Sequence, residues 1–121
     1  MTALMDLYEA VKSGVDWADN VFVKNIDESE AKTDLTFLLV RDATQELDNY
    51  GSNTFHTMTY TLQIQIFYAS DSDLDYDEVE LKLFRYLESK GYLISNVRGR
   101  LQDPDTYQDY QTFLVNIEKE V

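Results

Sequence analysis

A run of acidic residues is the first feature of the sequence that could bind a metal ion. Its members are Asp71, Asp73, Asp75, Asp77, Glu78 and Glu80. A calcium-binding EF-hand loop needs glycine at its sixth position and glutamate at its twelfth. Counted from Asp71, those positions hold Tyr76 and Lys82, and a count from Asp73 fails in the same way. The sequence therefore predicts no metal site; instead, Asp75 caps a helix and Glu78 completes a capping box.

The only histidine, His56, is the next residue that could take part in chemistry. Nucleophilic catalysis needs a base beside an activated hydroxyl, and Ser52, Thr54 and Thr57 are near His56 only in sequence. The chain has no Gly-x-Ser-x-Gly motif, no glycine-rich phosphate loop and no cysteine. We therefore expect a protein that is not an enzyme and has no cofactor. A hydrolase that uses His56 is the most distant alternative.

The charge balance limits the partners that the protein can have. The formal net charge is −13 at pH 7, from 10 basic and 23 acidic residues. Nucleic acid and anionic membranes attract clustered lysine and arginine, so we expect specific binding to neither. The N-terminus lacks the basic and apolar regions of a signal peptide, and no segment reaches the roughly 18 apolar residues of a membrane span. We expect a protein that is made and used without crossing a membrane.

Two arginines in the segment VRGRL are candidates for an interface. Arg98 and Arg100 are two residues apart, which places them on the same face of a predicted strand. Among so many acidic residues, we expect them to pair with carboxylates, within a subunit or between subunits. The planar guanidinium of arginine suits such interface pairs better than the ammonium of lysine.

The hydrophobic pattern predicts a single domain over residues 1–121, with elements in the order α-β-β-β-α-β-β. The predicted helices cover 3–13, which Gly14 ends, and 76–89. The predicted strands cover 21–26, 35–41, 55–68, 92–101 and 110–119. The second of them is apolar on both faces and should be central. The expected fold class is α+β, with a largely antiparallel or mixed sheet and helices packed on it.

Residues 42–54, DATQELDNYGSNT, contain several turn-forming residues and predict a long loop. Loops of this length are often functional. Together with the start of the following strand, it would form a loop or arm near 42–57. Asn49, Tyr50 and Asn53 are its candidate docking residues, facing either a channel or a partner.

The following strand belongs to a stretch, residues 49–70, that contains no charged residue. Alternation divides the strand into two faces. The core face carries Met58, Tyr60, Leu62, Ile64, Ile66 and Tyr68. The other face carries Thr57, Thr59, Thr61, Gln63 and Gln65. Threonine and glutamine cost less to bury than charged residues, so this face is predicted to contact another protein. The alternative is a solvent-facing strand that is neutral because threonine favours strands.

The second predicted helix has more apolar surface than one core needs. Its main apolar residues lie within a sector of about 80°. Phe84 lies about 100° from the centre of that sector and Leu81 about 160° from it. A broad core could cover Phe84, whereas Leu81 is harder to explain in that way. Both are candidate subunit contacts.

The segments NYGSNTFHT and LQIQIFYASDSD, followed by a helix and KGYLISNVRGRLQDPDTYQDYQTFLVNIEKE, carry a family resemblance. They resemble small tail proteins of siphophages and of prophages in Gram-positive bacteria. In element order, that group is similar to the tail terminator, or tail-to-head joining, proteins of phages. The resemblance is strongest over residues 49–121 and rests on strands, turns and aromatic residues rather than on a catalytic motif.

This resemblance implies a structural virion protein. Such subunits form a ring, typically sixfold, that caps the finished tail tube and then docks to the head. The implied partners are further copies of the chain, the major tail tube protein and the head-completion or connector protein. DNA would pass through the ring without specific binding. The protein would be in the host cytoplasm during assembly and then in the virion. The alternatives are a head-completion or neck protein, and a small α+β binding module unrelated to phages.

Overall fold

Thr2 begins the first helix of the computed structural model, which describes residues 2–48, 50–52 and 54–120. The Thr2 hydroxyl accepts a hydrogen bond from Met5 N at 3.1 Å. It thereby satisfies one of the N–H groups that a helix start leaves free. Asp75 begins the second helix in the same way, accepting from Glu78 N at 3.2 Å. The predicted cap at Asp75 is confirmed, while the Glu78 carboxylate pairs with Lys82 at 3.0 Å.

Two helices and six strands make up the described chain: α1 (Ala3–Gly14), β1 (Asn20–Val23), β2 (Phe37–Asp48), β3 (Thr57–Phe67), α2 (Tyr76–Ser89), β4 (Leu93–Ser95), β5 (Leu101–Gln102) and β6 (Asp109–Glu120). The strands form one sheet in the order β1-β2-β3-β6-β4, with β5 also paired to β6. β1 and β2 are parallel, and the other pairs are antiparallel. The expected α+β class with a mixed sheet is confirmed.

Both helices pack on the same side of the sheet, which we call the helical face. The core contains Leu7 and Val11 from α1 and Leu83 and Leu87 from α2. From β3 it contains Leu62, Ile64 and Ile66, all fully buried. These β3 residues alternate along the strand, because successive side chains point to opposite faces. The predicted core face of β3 is the helical face.

The opposite side of the sheet, which we call the open face, carries a second apolar cluster at one end. There, Phe22, Phe37 and Leu39 form a second buried cluster beneath Ile26 and Ala31. An aromatic row crosses this end of the sheet in the order Phe22, Phe37, Phe67 and Tyr110. Successive ring centroids in this row are 5.6, 5.0 and 5.8 Å apart. The rest of the open face has no helix packed on it.

The predicted loop over 42–54 is wrong for most of its length. β2 continues to Asp48, and its residues from Asp42 to Asp48 pair with β3, with a bulge between Asp42 and Thr44. The segment looked like a loop because residues 41–47 are exposed on both faces and show no apolar alternation. Pairing with a distant strand, rather than local hydrophobic pattern, makes this segment a strand.

The predicted strand over 92–101 is divided into β4 and β5. Between them, Asn96 and Gly99 have φ angles of 49° and 89°, which interrupt an extended chain. The sequence predicted that Arg98 and Arg100 lie on the same face of one strand. This prediction is wrong, because both residues lie in the segment between β4 and β5.

Gly14 has a different role from the expected one. A Cβ atom at this position would lie 2.3 Å from the Tyr86 ring of α2. Gly14 is therefore required by the close approach of the two helices and not by a left-handed turn at the end of α1.

Candidate interaction surface

The centre of the open face is a set of neutral side chains that hydrogen-bond to one another. Thr61 Oγ1 donates to Asn116 Oδ1 at 2.7 Å, and Asn116 Nδ2 donates to Ser95 Oγ at 3.4 Å. Two pairs further along the same face, Gln65 Nε2 donates to Thr112 Oγ1 at 3.3 Å. We call these side chains, with Gln63 between them, the polar grid. Because three hydrogen bonds pair polar groups within the grid and none of its members is charged, covering the grid costs less desolvation than covering charged side chains.

The five predicted residues of this strand face do not behave alike. Thr57 is buried, at 6% exposure, and therefore offers little surface to a partner. Thr59 lies directly between Glu46 of β2 and Glu118 of β6, and its hydroxyl donates to Asp48 Oδ2 at 3.1 Å. Gln63 lies beside the exposed Arg41 of β2, so the uncharged part of this face is limited to the surroundings of Thr61 and Gln65. The sequence could not show this, since the neighbouring strands supply the charges.

The predicted helix contacts lie on the other side of the molecule. Phe84 packs edge-to-face on Phe113 of the core, with ring centroids 4.8 Å apart. Leu81 is 50% exposed on α2. The structure therefore does not bring Leu81 and Phe84 together with the polar grid.

Arg100 pairs within its own chain, at a buried carboxylate. Glu80 is 4% exposed, and Arg100 Nε donates to its Oε2 at 3.0 Å. Tyr68 donates to the same oxygen at 2.5 Å, and Gln111 Nε2 donates to Oε1 at 3.1 Å. Arg100 also contacts Asp77. The hydrogen bonds to the two carboxylates raise the pKa of Arg100, and burial with the Glu80 bond raises that of Tyr68.

Glu80 is a structural residue that the sequence interpretation missed. In the sequence, Glu80 belongs to the acidic run that begins at Asp71. It also lies at helical spacing with Tyr76, Leu83 and Leu87. This spacing marks one side of a helix, and its later members are buried. A carboxylate on such a side needs partners, and a distant arginine is a natural one. The signal was therefore present in the sequence, without the identity of the partner.

Arg98 differs from Arg100. Its backbone N–H donates to Thr112 O at 3.0 Å, which attaches the segment between β4 and β5 to the sheet. Its side chain is exposed and forms no ion pair with another described residue. Of the two predicted interface arginines, Arg98 is the one that remains available to a partner.

A three-stranded extension, which we call the arm, carries the predicted docking region. It consists of residues 45–48, 57–60 and 117–120, paired in register. At its tip, Tyr50 is 67% exposed and its ring lies 6.3 Å from that of Phe55. Gly51 and Thr54 exchange backbone hydrogen bonds of 3.0 and 2.7 Å. Asn49 and Asn53, the other two predicted docking residues, lie outside the described residues.

A cavity of about 430 Å³ lies at the covered end of the open face, and we call it the Phe67 pocket. Its apolar floor includes Phe37, Leu39 and Phe67. Its charged lining residues are Lys24, Glu28, Arg41 and Asp103. The sequence interpretation did not find this pocket, because its walls come from four separate segments.

A family model described as "Protein of unknown function (DUF806)" matches residues 2–121. The chain belongs to the DUF806 family. No curated protein matches it. Because the match spans both helices and the sheet, the polar grid, the arm and the Phe67 pocket all lie in the region that defines the family.

The DUF806 chain places its single histidine near the arm tip. His56 Nε2 lies 3.2 Å from Gly51 O, at hydrogen-bond distance. Within the described ranges, no three His, Asp or Glu side chains are grouped so that they could hold a metal ion. Neither of the described helices is long and apolar enough to cross a membrane.

Proposed function

We propose that this protein is a non-enzymatic structural component of a phage virion. In this proposal, copies of the chain form a ring that caps the tail tube and joins the tail to the head. The observation that carries the proposal is the polar grid, a set of uncharged side chains on the side of the sheet opposite the two described helices. The resemblance over residues 49–121 supplies the setting, and the match to the DUF806 family leaves the function open.

The chemistry of the grid supports a lasting contact. Charged residues are depleted from the cores of interfaces because each buried charge must be desolvated and paired. Thr61, Gln63 and Gln65 avoid that cost and can exchange a bond within the grid for a bond to a partner. An otherwise very acidic chain, at −13, concentrates its charge elsewhere. The acidic remainder would let DNA pass through a ring without sticking to it.

The first experiment introduces charges into this face. We expect Thr59→Lys with Gln63→Glu to leave the fold intact, because Thr59 lies between Glu46 and Glu118 and a lysine there finds opposite charges. We expect the double variant to lose ring formation and tail-tube capping. Native mass spectrometry measures the ring, and electron microscopy of purified tail tubes measures the capping.

The matched control is Thr33→Lys with Gln102→Glu, which makes the same two changes at exposed positions away from the grid. We expect this control to assemble like the natural chain. Normal assembly of the Thr59→Lys, Gln63→Glu variant would refute the role of the polar grid. A chain that caps no tube but binds the head connector would instead be a neck protein.

His56→Ala tests the absence of catalysis. This change removes one hydrogen bond at the arm tip, so we expect assembly and infectivity to remain normal. Loss of infectivity in correctly assembled particles would point to chemistry at His56.

A further inference from the structure

The arm ends in an aromatic side chain that its own chain leaves uncovered. Tyr50 is 67% exposed and stands against Phe55, and residues 41–47 below it are exposed as well. Tyrosine in such a position is typical of the residues that contribute most to protein interfaces. The arm has little core of its own, so its folded length is best explained by a contact made at its end.

The Phe67 pocket has the shape and the floor to receive an aromatic side chain. Its volume of about 430 Å³ lies within the usual range of binding pockets, about 300–1,000 Å³. The rings of Phe37 and Phe67 are stacked in its floor, 5.0 Å apart. A ring that enters the pocket can pack against them in the offset or edge-to-face arrangements that aromatic pairs prefer.

The acidic residues near the arm tip are opposite in charge to two basic residues of the Phe67 pocket. Lys24 and Arg41 line the pocket, and neither forms an ion pair with another described residue. Near the tip, β2 carries Glu46, which is exposed, and Asp48. The pocket also has Asp103, but its Oδ1 accepts hydrogen bonds from two backbone N–H groups of its own turn. The fourth charged lining residue, Glu28, is exposed, as Lys24 and Arg41 are.

The arm of a chain cannot reach the pocket of the same chain. Arg41 belongs to the pocket and Asp48 lies just before the tip, and both are on β2. Seven residues of strand separate them by roughly 23 Å, at about 3.3 Å per residue. Pairing with β3 along this whole segment keeps it extended. The tip can therefore enter this pocket only in a second copy of the chain.

We propose that the arm tip of one copy inserts Tyr50 into the Phe67 pocket of the next copy. The acidic residues Glu46 and Asp48 then face Lys24 and Arg41 of the receiving copy. Tip and pocket are different surfaces, so the contact is head-to-tail and gives a ring wherever the rotation closes. This inference rests on the proposed function, because it supplies the subunit contact of the ring.

The test uses one variant for each half of the contact. Tyr50→Ser removes the ring of the tip, and Lys24→Glu with Arg41→Glu reverses the charge of the pocket. We expect each variant alone to be monomeric at concentrations where the natural chain assembles. For Tyr50→Ser, the subunit dissociation constant should rise about 30-fold or more, as for interface residues of this kind.

Mixing the two variants gives the sharpest result. The Tyr50→Ser chain retains an intact pocket, and the pocket variant retains an intact tip. One good contact can therefore form between them, but the chain of contacts cannot continue. We expect an equimolar mixture to give a 1:1 heterodimer and no larger species by native mass spectrometry.

Two controls separate this contact from general effects. Tyr50→Phe keeps the ring and should assemble normally. Lys12→Glu with Lys90→Glu makes the same charge change at exposed lysines of the helical side and should also assemble normally. Circular dichroism and thermal unfolding should match the natural chain for all variants.

Two assembly results would overturn the inference. They are assembly of either variant to the same extent as the natural chain, and a mixture that stays monomeric. The inference also fails if the natural chain is monomeric and the pocket variant loses tail-tube binding, because the tube protein is then the occupant. The proposed function is measured separately by capping of purified tail tubes, so each can fail without the other.

Discussion

The two halves of β2 are built from the same strand but have opposite surroundings. Residues 37–40 are buried on both faces of the sheet, and within the sheet they lie between β1 and β3. Leu38 and Val40 belong to the core with α1, and Phe37 and Leu39 belong to the second buried cluster. From residue 41 onward, β1 no longer accompanies the strand, and residues 41–47 are exposed. The apolar sequence FLLV gives way to the polar RDATQEL at the same point.

This difference shows how a small domain divides stability from contact. Burial on both faces stabilises the first half of the strand through the hydrophobic effect. The second half retains its hydrogen bonds to β3 but buries little, so its folded state contributes less to the free energy of unfolding. It is therefore free to carry the exposed side chains that a partner can use.

The strongest test of this comparison replaces one leucine in each region. Leu38 is fully buried beneath the helices, and Leu47 is 40% exposed on the arm. Leu38→Ala leaves a cavity and should lower the free energy of unfolding by about 2–5 kcal/mol. Leu47→Ala should change it by about 0.5 kcal/mol or less. Urea denaturation measures both, with the slope of the transition unchanged. Equal losses would mean that the arm belongs to the core.

A second test asks whether an exposed segment is always weakly attached to the core. Residues 96–100 are exposed like the arm, yet Arg100 fastens them to the buried Glu80. Arg100→Met leaves that carboxylate without its charged partner and should cost about 1–3 kcal/mol in the free energy of unfolding. Arg98→Met, two residues away and without an ion pair, is the matched control and should cost about 0.5 kcal/mol or less.

The same denaturation experiments measure this pair. A loss for Arg100→Met as small as that for Arg98→Met would show that the segment is held by its backbone. Residues 96–100 and the arm would then not differ in the contribution of an ion pair to their attachment.

The regular elements could be predicted because their signals are local. The bounds of α2 follow from the cap at Asp75 and the helical spacing of its buried residues. The two faces of β3 follow from alternation at Leu62, Ile64 and Ile66. These patterns repeat within a few residues, so no knowledge of distant partners is needed.

The arm and the site depend on contacts that the local pattern does not contain. Residues 42–48 have a strand partner beginning only at Thr57, and the polarity of the segment is typical of a loop. Arg100 meets Glu80 across twenty positions of sequence. The Phe67 pocket joins four separate segments. Its apolar members look like ordinary core residues, and only the fold shows that they border a cavity.

The prediction with the smallest expected effect concerns the ion pair that joins the arm to α1. Lys119 of the arm donates to Asp6 Oδ2 at 2.9 Å, and its ammonium lies 6.0 Å from the Tyr60 ring centre. We expect Asp6→Asn to lower the hydrogen-exchange protection of residues 117–120 a few-fold and leave that of residues 37–40 unchanged. Glu9→Gln, at an exposed acid of the same helix, is the matched control and should change neither region.

Acid should reproduce the effect of Asp6→Asn. The hydrogen bond from Lys119 holds the pKa of Asp6 below the usual value of an aspartate. A lowered folded-state pKa means that the carboxylate stabilises the arm above the unfolded pKa, and that this stabilisation is lost as the pH falls through the folded value. The protection factors of the natural chain and of Asp6→Asn should therefore differ at about pH 6 and converge as the pH falls below the folded-state pKa of Asp6. If the protection factors still differ at low pH, the amide substitution perturbs packing. The ion pair between Lys119 and Asp6 would then not be what holds the arm against α1.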